Sequence, residues 1–187
     1  MPRPMNRLAD TPRERLRRLS RAMRVLVGIG ALALACMPLW IVGQEPQQVL
    51  AWLHGVRPGN GPFTPPLPMH WIAAIASLPG VLLGLYGLWQ LWQLFAAYGR
   101  GVVFGSEPTR RLRRLGATLV ASAFLQPLVQ TIVVLVLTAN NPPGQRRLVL
   151  GFSSNGYALL LAGGLLWAIA WAMAEGARLQ RENEGFV

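Results

Sequence analysis

Residues 71–98 read WIAAIASLPGVLLGLYGLWQLWQLFAAY, twenty-eight positions without an acidic or basic side chain. The hydrocarbon core of a bilayer, about 30 Å thick, is crossed by roughly 20 helical residues rising about 1.5 Å each. This stretch can therefore span, with residues to spare for tilt. Three further uncharged apolar stretches occur at 25–42, 117–139 and 157–174. Together they predict an all-α membrane protein, a four-transmembrane-helix bundle forming one domain over 1–187. Pro38, Pro79 and Pro127 lie inside these runs. Membrane helices tolerate proline where neighbouring groups re-satisfy the freed carbonyl.

The composition agrees. Of the 187 residues, 52% are hydrophobic and 13% charged, about half the charge of an ordinary soluble domain. Leu34-Ala35-Cys36 looks superficially like the end of a lipoprotein signal, yet the apolar run continues to Val42 behind a 24-residue charged leader. The first run therefore reads as an uncleaved span. Cys36, the single cysteine, reads as a small buried apolar residue with no disulfide partner in the chain.

All 18 basic residues are arginines, and their placement is uneven. Fifteen lie in the leader 1–24, the segment between the second and third runs, and the tail 175–187; three lie on the other side, at Arg57, Arg146 and Arg147. Positive charge is retained on the cytoplasmic side, which places both termini there. The outer side is then the proline- and glycine-rich segment 44–70, with a helical turn expected near Gln47 to His54, and the segment 140–156. Arg147 to Phe152 looks extended, so a short strand near 147–152 is expected, and Ser154 or Asn155 can cap the fourth helix.

Chemistry is sparse. No Asp, Glu, Lys, Arg or His lies inside a span, which counts against a pump or coupled transporter. His54 and His70 both fall in the outer segment without a third ligand at metal spacing. No catalytic, metal or cofactor site emerges, and the expectation is a non-enzymatic protein. The polar residues within the spans are mainly glutamines. Gln90 and Gln93 lie on the second helix, and Gln126 and Gln130 one turn apart on the third. Measured from Ala117, Gln126 lies about 14 Å deep, near the level of Gln90 at about 12 Å. The two amides are thus expected to meet, as glue worth about 0.6–2 kcal/mol or as a polar ligand pocket. Gly80, Gly84, Gly87 and the pair Gly163-Gly164 offer surfaces for close helix packing. Six tryptophans near span ends read as interfacial anchors; Trp167 lies inside a run.

The leader has helical logic, with Thr11 as N-cap, Pro12 as first helical residue and Glu14 as the capping-box acid. Arg15, Arg17, Arg18, Arg21 and Arg24 form a basic face suited to anionic headgroups, each adding about 1 kcal/mol. Direct nucleic-acid binding is not expected.

Two further segments carry a pattern. The first begins Leu94-Phe95-Ala96-Ala97-Tyr98-Gly99-Arg100-Gly101-Val102-Val103-Phe104 and runs through Ser106, a capped helix start, to Arg110, Arg113 and Gly116. The second is the ending Glu175 to Val187, with Leu179, Gln180, Glu182 and Glu184. These resemble the bacterial membrane family called domain of unknown function 2975. The likeness lies in its four spans, its Leu-Phe-x-x-Tyr-x-x-Gly-x-x-Phe signature and its Glu-x-x-x-Leu-Gln-x-Glu-Asn-Glu ending. The Arg-rich leader and the long outer loop are less family-like. The resemblance implies a multi-pass protein of the bacterial inner membrane. Members are often encoded beside a small helix-turn-helix regulator. The expected function is therefore regulatory or sensory, with a cytoplasmic partner docking on residues 99–116 and 175–187, through Tyr98, Arg100, Phe104, Arg110, Arg113, Leu179, Gln180, Glu182 and Glu184. The alternative is a small transporter, channel or efflux component with a glutamine-lined polar track. Homo-oligomerisation is a further expectation.

Overall fold

The computed structural model describes residues 12–44, 68–101, 105–137 and 153–184. They form four helices: α1 Pro12–Val42, α2 Met69–Gly99, α3 Ser106–Leu137 and α4 Ser154–Glu184. At 31 or 32 residues, each is about 46 Å long. Each holds a segment long and apolar enough to cross a membrane, so the chain is a multi-pass membrane protein. No strand occurs among the described residues; the strand expected near 147–152 and the turn near Gln47 to His54 lie outside them.

The helices extend beyond the uncharged runs because arginine favours helix as well as leucine does. The leader and the first span form one helix that begins at Pro12, as expected. Arg110 to Arg114 likewise belong to the opening turns of α3. Two expected caps move by one or two positions. Ser106 is already the first helical residue of α3, and both the backbone N–H and the hydroxyl of Thr109 donate to the Gly105 carbonyl. At α4 the cap is Ser153, whose hydroxyl accepts the Gly156 N–H at 3.1 Å, while Asn155 points elsewhere.

Neighbours in sequence are neighbours in space: α1 packs along α2, α2 along α3 and α3 along α4, and no other pair packs as extensively among the described residues. Between lipid-exposed helices, apolar burial provides little driving force, so close contact and hydrogen bonds must hold them together. At α3–α4, Gly116 faces Gly163. A Cβ on either would sit 2.8 Å from the other's carbonyl oxygen, so the two backbones touch. The Trp167 indole N–H, about one turn from that crossing, donates to the Arg113 carbonyl at 2.9 Å. At α1–α2, Ser20 donates to the Phe95 carbonyl, and Arg24 lies over Trp92 with its guanidinium carbon 4.4 Å from the ring centroid. Gly84 and Gly87 pack against Leu34 and Thr118, whereas Gly80 and Gly164 face open space. Cys36 is exposed, not buried. It lies on a stretch of α1 that also exposes Leu32, Leu39 and Trp40, the face such a helix turns to lipid.

Candidate functional site

Two places bring the patterned residues together. The first is the turn between α2 and α3. Helix α2 ends as the Arg100 and Gly101 N–H groups bond back to Ala97 and Tyr98. Gly101 then takes φ +84°, a left-handed conformation open to glycine without strain. Glu107, in the first turn of α3, reaches both sides of the turn. Its carboxylate lies 3.1 Å from Arg111 on its own helix and 3.6 Å from Arg100 at the end of α2. Sequence reading passed over Glu107; an acid four residues before an arginine was the available signal. Tyr98 packs half-buried against the cluster of Leu94, Leu112 and Ala170, edge-on to Phe95. It therefore braces the turn from α2. Arg100, Arg110 and Arg113 are exposed around it, and Phe104 lies outside the described residues.

Helices α1 and α4 overshoot this turn. Ser20 is level with the last turn of α2, and α1 continues eight more residues to Pro12, about 12 Å. Leu112 is level with Ala170, so α4 runs about eight residues, again about 12 Å, past the start of α3. Leu179 is exposed, and Gln180, Glu182 and Glu184 continue the helix. Arg15 lies in the overshooting part of α1. Arg17, Arg18 and Arg21 are exposed, while Arg24, expected beside them on the lipid surface, is half-buried and turned onto Trp92.

The second place lies within the spans. Gln90 and Gln126 do not meet, contrary to the depth count. Leu94 packs with Leu112, Gly87 faces Thr118 and Ile72 packs with Val133. This antiparallel register sets Gln126 opposite Gly80, about ten residues or 15 Å from Gln90. The count started at the first uncharged residue of α3, whereas the helix begins eleven residues earlier. Gln90 is fully buried, and neither atom of its amide has a hydrogen-bond partner. Gln93 and Gln130 are half-buried. Gln126 is exposed and accepts a hydrogen bond from the Asn155 amide at 3.3 Å. It lines a crevice of about 320 Å³ bounded by all four helices, with Leu34, Met37, Ser77, Gly80 and Leu159 among its walls. Among the described residues no three His, Cys, Asp or Glu side chains converge as a metal site.

No curated protein and no solved structure matches the chain. Residues 64–186 match the family described as "Protein of unknown function (DUF2975)", a stretch that holds α2, the Glu107 turn, α3 and α4 but not α1. The match covers well over half of the sequence and includes both patterned segments, so the chain belongs to that family.

Proposed function

We propose that this is a non-enzymatic regulatory or sensory protein of the bacterial inner membrane, with both termini in the cytoplasm. It docks a cytoplasmic partner, such as a small helix-turn-helix regulator, on the α2–α3 turn and the end of α4. One observation carries the reading: α4 stays helical for about two turns beyond the start of α3, beside a turn pinned by Glu107. A helix with an exposed Leu179 and mixed charge offers the apolar and polar contacts that a protein partner uses. The arginine distribution supports the orientation, and Arg17, Arg18 and Arg21 on α1 then face anionic headgroups at the same membrane surface.

The test uses the full-length chain solubilised from its own membrane, together with a small helix-turn-helix regulator as the candidate partner. Co-purification is expected with the intact chain and is expected to be lost when residues 179–187 are removed. Undiminished capture by the shortened chain would take the tail out of the account. Orientation is read separately: a cysteine introduced at Gly59 in a Cys36→Ala background should react with an impermeant maleimide added outside intact cells. Reaction only after lysis would reverse the topology.

A further inference from the structure

Three of the four helices carry a proline inside, and the helix register brings all three to one depth. Pro79 of α2 sits between the Gly84–Leu34 and Ala74–Ile41 contacts with α1, which is the level of Pro38. On its other side it sits between the Gly87–Thr118 and Ile72–Val133 contacts with α3, which is the level of Pro127. The immediate neighbours of the three prolines, Met37, Gly80 and Gln126, all line the four-helix crevice. Proline has no N–H, so the carbonyls four residues back, those of Leu34, Ile75 and Ala123, lose their helical donor. In hydrocarbon no water compensates for that loss. The hydroxyls nearby are already engaged, since Ser77 donates to the Ala74 carbonyl and Ser122 to that of Thr118. The crevice of about 320 Å³ is lined mainly by apolar side chains, together with Ser77, Ser122 and Gln126 and no charged side chain; of the three residues with a freed carbonyl, Leu34 is the one that lines it. Its volume lies within the range of small-molecule sites, which run from about 300 Å³ upward.

We propose that this crevice binds an uncharged single-chain amphiphile drawn from the bilayer. The chain lies among Leu34, Met37, Leu125 and Leu159, and a hydroxyl donor serves Gln126 and the Leu34 carbonyl freed by Pro38. The charge-free lining rejects fatty acids and amines, because a buried charge there has no counter-ion. The need for a donor separates the ligand from an ordinary lipid tail. This site stands independently of partner docking at the far end of the bundle, and its test does not require the partner.

The full-length protein in phosphatidylcholine nanodiscs is photolabelled with diazirine-bearing hexadecanol. Saturable labelling is expected within 76–81 and 122–129, displaced at least tenfold better by hexadecanol than by 1-methoxyhexadecane, which has the same chain without the O–H. Gly80→Leu should cut labelling at least tenfold by filling the crevice. A Cβ at Gly80 meets nothing within 4 Å, so the helix accommodates it; the same is true of Gly164, and Gly164→Leu should label like the native chain. Gln126→Leu should weaken displacement by hexadecanol about tenfold, the loss of one hydrogen bond, while leaving that by the ether unchanged. Equal displacement by alcohol and ether would overturn the proposal in favour of any lipid chain. Native-like labelling of Gly80→Leu would place the ligand elsewhere.

Discussion

The α1–α2 seam and the α3–α4 seam join helices of nearly equal length in the same solvent, yet they are built differently. Between α3 and α4 the backbones touch at Gly116 and Gly163, with Val120 Cγ2 only 2.7 Å from where a Gly163 Cβ would lie. Between α1 and α2 side chains do the joining: the Ser20 hydroxyl on the Phe95 carbonyl, Arg24 on Trp92, and Leu34 against Gly84. Both solutions follow from lipid as the solvent, where contact depends on fit and on hydrogen bonds. They differ in what can yield. A backbone carbonyl cannot move without bending its helix, but the end of a leucine can. The side-chain seam also belongs to the helix outside the family match, and the backbone seam lies wholly within it.

The sharpest way to break the contrast is Gly163→Val. The added carbons would meet Val120 and the Gly116 carbonyl with nothing flexible to displace on the backbone side. Stability should fall by about 1–3 kcal/mol, the range for overpacking, read as a drop in Tm in detergent micelles. An unchanged Tm would mean that the two glycines are not in contact. The next effect has the opposite sign. Gln90 lies on α2, between the two seams, sealed and without a hydrogen-bond partner. Gln90→Met keeps the shape and removes the unpaired amide, so Tm should rise, by about 1–2 kcal/mol of stability. A fall would show that the amide has a partner in the membrane. Ser20→Ala then probes the side-chain seam. It removes one hydrogen bond to a helix carbonyl, at a cost of about 0.5–1.5 kcal/mol, and should leave the α3–α4 contact intact. That contact is checked by repeating Gly163→Val in the Ser20→Ala background, where it should cost the same as in the native chain because the two sites are independent.

Why the sequence disclosed the four helices but not their seams follows from what each depends on. A run such as 71–98 declares itself because hydrocarbon demands an unbroken apolar length. Charge, however, marks where lipid ends and not where a helix ends, so a helix start was legible at Ser106 while the depth of Gln126 was still counted from Ala117, the end of the charge-free run. Taking the ends of the two uncharged runs as level shifted the α3 depth scale and produced the expected Gln90–Gln126 pair. Gly163 was legible as a packing residue because it stands beside a second glycine in an apolar run, but its partner Gly116 sits alone at the edge of an arginine cluster, where nothing marks it for packing. The signature residues Leu94 and Tyr98 were visible as a pattern, and the cluster with Leu112 and Ala170 supplies their physical role. The common depth of Pro38, Pro79 and Pro127 could not be read, since it exists only once three helices have taken their register.

The smallest expected effect is the most discriminating. Gly84→Ala places its Cβ 2.7 Å from Leu34 Cδ2, as close on paper as anything at Gly163. The obstacle is the tip of a side chain that can rotate, and alanine gains helix propensity over glycine by about 1 kcal/mol. The two terms nearly cancel, so Tm should change by the equivalent of about 0.5 kcal/mol or less. Gly116→Ala gains the same propensity but meets the Gly163 carbonyl and the Trp167 ring, each at 2.8 Å, and should be clearly destabilised. The difference between these two alanine variants therefore isolates the cost of moving backbone from the cost of moving a side chain. If both lose stability equally, Leu34 is as fixed as a carbonyl, and the distinction between the two seams disappears.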